Sequence, residues 1–192
     1  VDADICQLVV ADTRLALGHL GAYRRAQHPQ LKVIALTGSS GKTTTKELTA
    51  SIFRQIGETL ATLGNKNNDI GVPLTLLRLN ADHRYGVFEL GANHKGEIAY
   101  TSALVQPHAA VINNIGTAHL EGFGGIEGVR KGKGELFDYL REHAGTAFAF
   151  DDYDYLHSMS AGIENICWYG TAQGAVTGKA HASGSFLTVE MG

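Results

Sequence analysis

The eight residues Thr37-Gly38-Ser39-Ser40-Gly41-Lys42-Thr43-Thr44 constrain this chain more than any other stretch. They lie between a strand-like apolar run, Leu31 to Leu36, and a helix-like run that begins near Lys42. A strand, a glycine-rich turn, a lysine and a hydroxyl residue, in that order, aim backbone N–H groups and a helix N-terminus at a polyphosphate. Gly38, Ser39, Ser40, Gly41, Lys42, Thr43 and Thr44 would form the cradle, with Lys42 on the outer phosphates and the Thr43 hydroxyl on Mg²⁺. The pattern is the short G-x-x-G-K-T, because Leu36 stands five places before Gly41, where the commoner phosphate loop has a glycine. A bare glycine turn between strand and helix is the bland alternative. It leaves the agreement of context and residue types unexplained.

Around this loop the pattern alternates strands and helices. Residues 5 to 10 read as a short strand, and Asp12 can cap a helix with Leu15 or Ala16, Leu20 and Tyr23 on one face, ended by Pro29. That face needs a partner: the following sheet, or a preceding domain of which this helix is the tail. The helix from Lys42 carries Leu48, Ile52 and Ile56 at four-residue spacing and stops at Gly57. Leu60 to Leu63 suits a strand, Pro73 the first turn of a short helix through Leu79, and Tyr85 to Glu89 a buried strand ending in a carboxylate. Further helices are expected from Gly96 to Val105 and from Ile126 to His143, with strands at Ala109 to Asn113, Thr146 to Phe150 and Ile166 to Tyr169. Two alternating runs, Ala175 to His181 and Phe186 to Met191, suggest an antiparallel pair. The fold class follows: α/β, a phosphate-loop-type, mainly parallel sheet with helices on both faces and a small antiparallel appendage near the C-terminus.

Three stretches outside the loop can carry chemistry. Gly64-Asn65-Lys66-Asn67-Asn68-Asp69-Ile70-Gly71 is good turn material, and its amides could equally serve a polar substrate as donors and acceptors. Glu89, at a strand's C-terminal end, is where an open parallel sheet places a ligand, and it could bind the same Mg²⁺ as the cradle. Arg130, Lys131 and Lys133 near a helix start oppose the macrodipole unless an anion is close, although such a patch is often a solvated face. A lone loop His such as His119 is more often structural than a ligand.

Composition excludes more than it assigns. A formal charge of −3 gives no reason to expect nucleic acid or an anionic membrane, and no run of about eighteen apolar residues occurs. Two distant cysteines, Cys6 and Cys167, and no charged-then-apolar leader suggest a reducing, cytoplasmic setting. The Asn-Lys-x-Asp and Asp-x-x-Gly elements of a small GTPase are missing, as are a His-Glu-x-x-His and any Cys–His spacing for zinc. Gly132-Lys133-Gly134 lacks the third glycine of a dinucleotide fingerprint. A nucleoside triphosphate with Mg²⁺ remains.

Taken together, five segments resemble the Mur ligases of bacterial cell-wall synthesis, which share a T-G-x-x-G-K-[ST] loop. They are residues 37–44, 64–75, 89–98 (Glu-Leu-Gly-Ala-Asn-His-Lys-Gly-Glu-Ile), 114–121 (Asn-Ile-Gly-Thr-Ala-His-Leu-Glu) and 127–135. The second and third resemble the branch that joins D-alanyl-D-alanine to UDP-N-acetylmuramoyl-tripeptide. The resemblance implies an ATP-dependent amide ligase in peptidoglycan synthesis: ATP phosphorylates a substrate carboxylate, and an amine attacks the acyl phosphate. It implies that Lys42 and the cradle hold the β- and γ-phosphates, that Thr43 and Glu89 hold a first Mg²⁺ and His119 a second, and that Lys133 is carbamylated by CO₂. Asn65, Asn67, Asn68, Asn93 and His94 would line the muramoyl-peptide side.

The resemblance covers roughly residues 5 to 170. It implies that residues 1–29 are the tail of an N-terminal UDP-substrate domain, that 30–192 are a central ATP-binding domain incomplete at its end, and that a C-terminal domain is absent. Where the family commonly has an Asn-Ala-Asp-Asp-like run, this chain has Ala149-Phe150-Asp151-Asp152. The expectation is a monomer that does not turn over as this fragment alone. A phosphate-loop ATPase or kinase-like domain, or a folylpolyglutamate-type ligase, is the alternative.

Overall fold

The structure, a computed structural model, describes residues 5–116, 120–183 and 186–192. In chain order its elements are α1 (Thr13–Ala26), β1 (Lys32–Thr37), α2 (Lys42–Arg54), β2 (Thr59–Ala61), α3 (Gly71–Leu76), β3 (Tyr85–Glu89), α4 (Glu97–Val105) and β4 (Ala109–Ile112). They continue as α5 (Leu120–Phe123), α6 (Ile126–Glu142), β5 (Thr146–Phe150), α7 (Asp154–Met159), β6 (Asn165–Gly170), β7 (Val176–Ser183) and β8 (Phe186–Met191).

The described strands form one sheet in the order β2-β3-β1-β4-β5-β6-β7-β8. All pairings from β2 to β7 are parallel, and β7–β8 is antiparallel. The C-terminal hairpin is joined to the main sheet, because Tyr169 and Gly170 pair in parallel with Val176 and Thr177. From β1 the chain goes to one side for β2 and β3 and then crosses back to the other for β4. Between β1 and β4 the strand order therefore reverses, and beyond their C-terminal ends lies the crevice in which open parallel sheets bind ligands.

Alternation along β1 feeds two cores. Val33 and Ala35 join the large one with Val72, Leu76, Phe88, Ile98, Leu136 and Phe137, under α3, α4 and α6. Leu36 joins a smaller one with Ala50, Ala61 and Val87 under α2. Helices thus cover both faces, as parallel strands buried on both sides require.

Three sequence expectations need correction. Residues 5–10 form no strand and are exposed: none of the described pairings includes them. On α1 the expected apolar face points outward, with Leu15, Leu20 and Tyr23 at least half exposed, while Ala22 packs on the large core. The buried positions of α1 are Gly18, Gly21 and Arg25. Gly21 lets α1 touch α3: a Cβ there would lie 2.9 Å from Pro73 Cα. Arg25 is satisfied by carbonyls, donating to Val105 O at 2.9 Å and His28 O at 2.7 Å. Likewise Leu48 and Ile52 on α2, and Ile56 just past its end, are each more than 60% exposed while Lys46 and Ala50 are buried.

Candidate nucleotide and substrate site

Sharp reversal at Gly41, with φ 75°, starts α2 directly from the loop. Left-handed backbone costs glycine nothing and a β-branched residue a great deal. Among the described residues no side chain caps α2, which leaves its first amides to meet a phosphate. The loop after β4 braces the cradle. Asn113 Nδ2 donates to Thr45 Oγ1 at 2.8 Å, Ser40 N donates to Asn114 Oδ1 at 3.0 Å, and Gly116 N donates to Ser39 Oγ at 2.8 Å. At Gly38 a Cβ would fall 3.0 Å from Asn113 Cβ and crowd this brace. Lys42 Nζ donates to Gly38 O at 2.9 Å, folded back over its own loop. Beneath the cradle, Thr37 Oγ1 and Asn113 Oδ1 are buried without a partner among the described residues.

Glu89 reaches the same point from β3. Its carboxylate is 1% exposed, accepts from Thr43 Oγ1 at 3.0 Å on Oε2, and accepts from Asn67 Nδ2 at 2.7 Å on Oε1. Among the described residues no cation pairs with it. A buried carboxylate with only neutral donors is short of positive charge. Magnesium fits that deficit. Among the described residues no group of three His, Cys, Asp or Glu could hold a metal alone, so Thr43 and Glu89 would share it with phosphate oxygens, as Mg²⁺ sites commonly do.

Next to the cradle opens a cleft of about 360 Å³, lined by Lys42, Lys133, Asn65, Asn67, Asn68 and Asn93 together with Arg14, Asp69 and Glu97. Lys133 projects from α6, 1% exposed. Burial first, and then the charge of Lys42, bring its pKa from 10.5 down to about 8. Its neighbours diverge: Lys131 is exposed, and Arg130 pairs with Glu127 at 2.7 Å. Burial works against ionised Glu97, but bonds from the Asn93 amide (2.7 Å), the His94 ring and the His94 amide outweigh it and hold its pKa below the ordinary value.

Six of the residues singled out in the sequence therefore line one cleft: Lys42, Asn65, Asn67, Asn68, Asn93 and Lys133. Thr43 and Glu89 meet beside it. His94 turns away onto Glu97 at 3.2 Å and is mostly exposed. His119 lies outside the described residues. Asp152 is spent on Thr171, whose N–H and hydroxyl both donate to it. Sequence reasoning missed Asn113, which sits under the cradle, and Lys46, which is fully buried and donates to Thr62 O at 2.7 Å and Gly64 O at 3.3 Å. An Asn-Asn pair straight after a strand was the available sign for Asn113. Lys46 had none: besides the two backbone carbonyls its partner is Glu47, at 2.7 Å, the next residue in the chain.

A phosphate-loop nucleotide-binding domain with a charged, amide-lined cleft is the class that this fold and site define. The family described as the Mur ligase middle domain matches residues 36–189, and the chain belongs to that family. It is similar to UDP-N-acetylmuramoyl-tripeptide–D-alanyl-D-alanine ligase of Escherichia coli, 56% identical over 83% of this chain and 35% of the relative. A crystal structure of MurF from Acinetobacter baumannii superposes with a TM-score of 0.92 at 50% identity, over 100% of this chain and 42% of that one. MurF ligase from Thermotoga maritima in complex with ADP superposes at 0.89 and 28% identity, over 100% of this chain and 44% of that one. The chain thus spans about a third of the length of the curated relatives it matches.

Proposed function

We propose that this chain is the central ATP-binding domain of a ligase that joins D-alanyl-D-alanine to UDP-N-acetylmuramoyl-tripeptide. The observation that carries this is the line Thr43–Glu89–Asn67, which ties the phosphate loop to the asparagine loop, beside the cleft, through a buried carboxylate that no cation among the described residues pairs with. The names of the similar proteins support the choice of substrates. Residues 1–29 are assigned to the junction with a preceding UDP-substrate domain, and the setting is the cytoplasm, where the nucleotide-linked substrate and ATP would be available.

In this reading the cradle amides and Lys42 grip the β- and γ-phosphates. An oxygen of the tripeptide's terminal carboxylate bonds to the γ-phosphorus as the bond to the ADP oxygen breaks. The amine of D-alanyl-D-alanine then bonds to the acyl carbon, phosphate leaves, and the nitrogen loses a proton. Carboxylate and triphosphate repel, and Lys42 offsets their charge where they meet; Thr43 and Glu89 would hold a Mg²⁺ that would supply further positive charge there. Positioning along the asparagine loop supplies orientation. Mg²⁺ at a second place, with His119, belongs to the same proposal.

Lys133 suits carbamylation. Only a neutral amine attacks CO₂, and a pKa of about 8 leaves far more neutral amine near neutrality than an ordinary lysine has. The nitrogen bonds to the CO₂ carbon and loses a proton, and the product, a carboxylate-like anion, removes the repulsion from Lys42. The test is ADP release by the full-length protein. Release is expected only when ATP, UDP-muramoyl-tripeptide and D-alanyl-D-alanine are all present; release that is indifferent to the dipeptide would refute the assignment.

A further inference from the structure

The side of α1 that meets the rest of the chain is built from arginines and glycines. Arg14, Gly18, Gly21 and Arg25 recur at i, i+4, i+7 and i+11, which places them on one side of the helix. Gly18 and Gly21 bring that side down onto Tyr100 of α4 and Pro73 of α3. Arg25 fastens one end through backbone carbonyls. At the other end, Asp12 Oδ1 accepts from Arg14 N at 2.8 Å and Leu15 N at 3.0 Å, fixing the first turn. From that turn Arg14 reaches the cleft, where Nε donates to Asp69 Oδ2 at 2.9 Å and Nη2 donates to the same oxygen.

Asp69 belongs to the asparagine loop, and the other ties of that loop are known. Lys46 holds its start. Asn67 O accepts from Gly91 N at 2.8 Å, and Asn67 Nδ2 donates to Glu89. Asn68 Oδ1 accepts from Gly71 N at 2.9 Å, at the start of α3. Arg14–Asp69 is the tie that joins the loop to α1. Its guanidinium is 66% exposed, so the pair is worth little as a stability device. It restricts where the loop sits.

We propose that Arg14 is a positioning residue for the ligase reaction: through Asp69 it holds residues 64–70 in the place that keeps Asn67 on Glu89. The carboxylate orientation offered beside Thr43 then depends on how α1 is seated. This rests on the ligase reading of the cleft.

The test uses the full-length ligase, first confirming that the wild type releases ADP in a dipeptide-dependent way. Failure there overturns the ligase reading. Arg14→Ala and Asp69→Ala are each expected to raise the Mg²⁺ half-saturation and the KM for the muramoyl peptide roughly tenfold, with kcat changed much less. Their unfolding midpoints stay within about 1 °C of wild type. The double alanine variant is no worse than either single one, Arg14→Lys lies between, and the exchange Arg14→Asp with Asp69→Arg recovers most of the loss. Additive losses in the double variant, unchanged KM and Mg²⁺ dependence in Arg14→Ala, no recovery in the exchange, or a loss that tracks a fall in unfolding midpoint would each overturn the proposal.

Discussion

Lys133 carries a cost that the rest of the domain must offset. Its ordinary pKa is 10.5 and its folded value about 8, so the unfolded chain binds this proton more tightly than the folded one. The resulting penalty is present in full below pH 8, shrinks as pH rises from 8 to 10.5, and is gone above that. Lys133→Met is therefore expected to stabilise the chain by about 2–3 kcal/mol at pH 7 in CO₂-free buffer, the gain fading by pH 10.5. Urea unfolding at the two pH values checks this; a gain independent of pH would contradict it. Residues of this kind were readable in the sequence when they stood at a strand's end or in a spaced motif, as Lys42, Thr43 and Glu89 do. Lys46 and Arg14 were not, because one binds two backbone carbonyls and its sequence neighbour Glu47, and the other a carboxylate fifty-five residues away.

At the level of elements, the positions of strands and helices followed from pattern except for the strand expected at residues 5–10, but the inward faces of two helices did not. A three-to-four-residue apolar spacing normally marks a core face. On α1 and α2 it marks the outside, because the inward sides need small residues or a lysine aimed at carbonyls. Close approach, not apolar area, seats α1. Gly21→Ala is thus expected to destabilise this chain by about 1–2 kcal/mol, the clash with Pro73 outweighing the better helix propensity of alanine. Leu20→Ser and Ile52→Ser, on exposed positions, should each change stability by no more than about 0.5 kcal/mol. Denaturant midpoints of the three variants decide it; a larger loss at Leu20 than at Gly21 would refute this account of the packing.

Across the whole molecule, the site is assembled at a reversal of strand order that no local stretch of sequence records. The cradle follows β1, Glu89 ends β3, Asn113 follows β4, and Lys133 comes from α6. These parts converge because parallel strands all present their C-terminal ends to one edge. The parallel α/β class was legible from alternation alone, whereas the order of the strands needs the long-range pairings. The proposed function has a carboxylate activated as an acyl phosphate at this edge, and isotope transfer tests that most directly. Full-length ligase turning over tripeptide substrate labelled with ¹⁸O in its terminal carboxylate should release phosphate carrying one ¹⁸O per peptide bond formed. Phosphate released without label while the peptide bond forms would contradict the account.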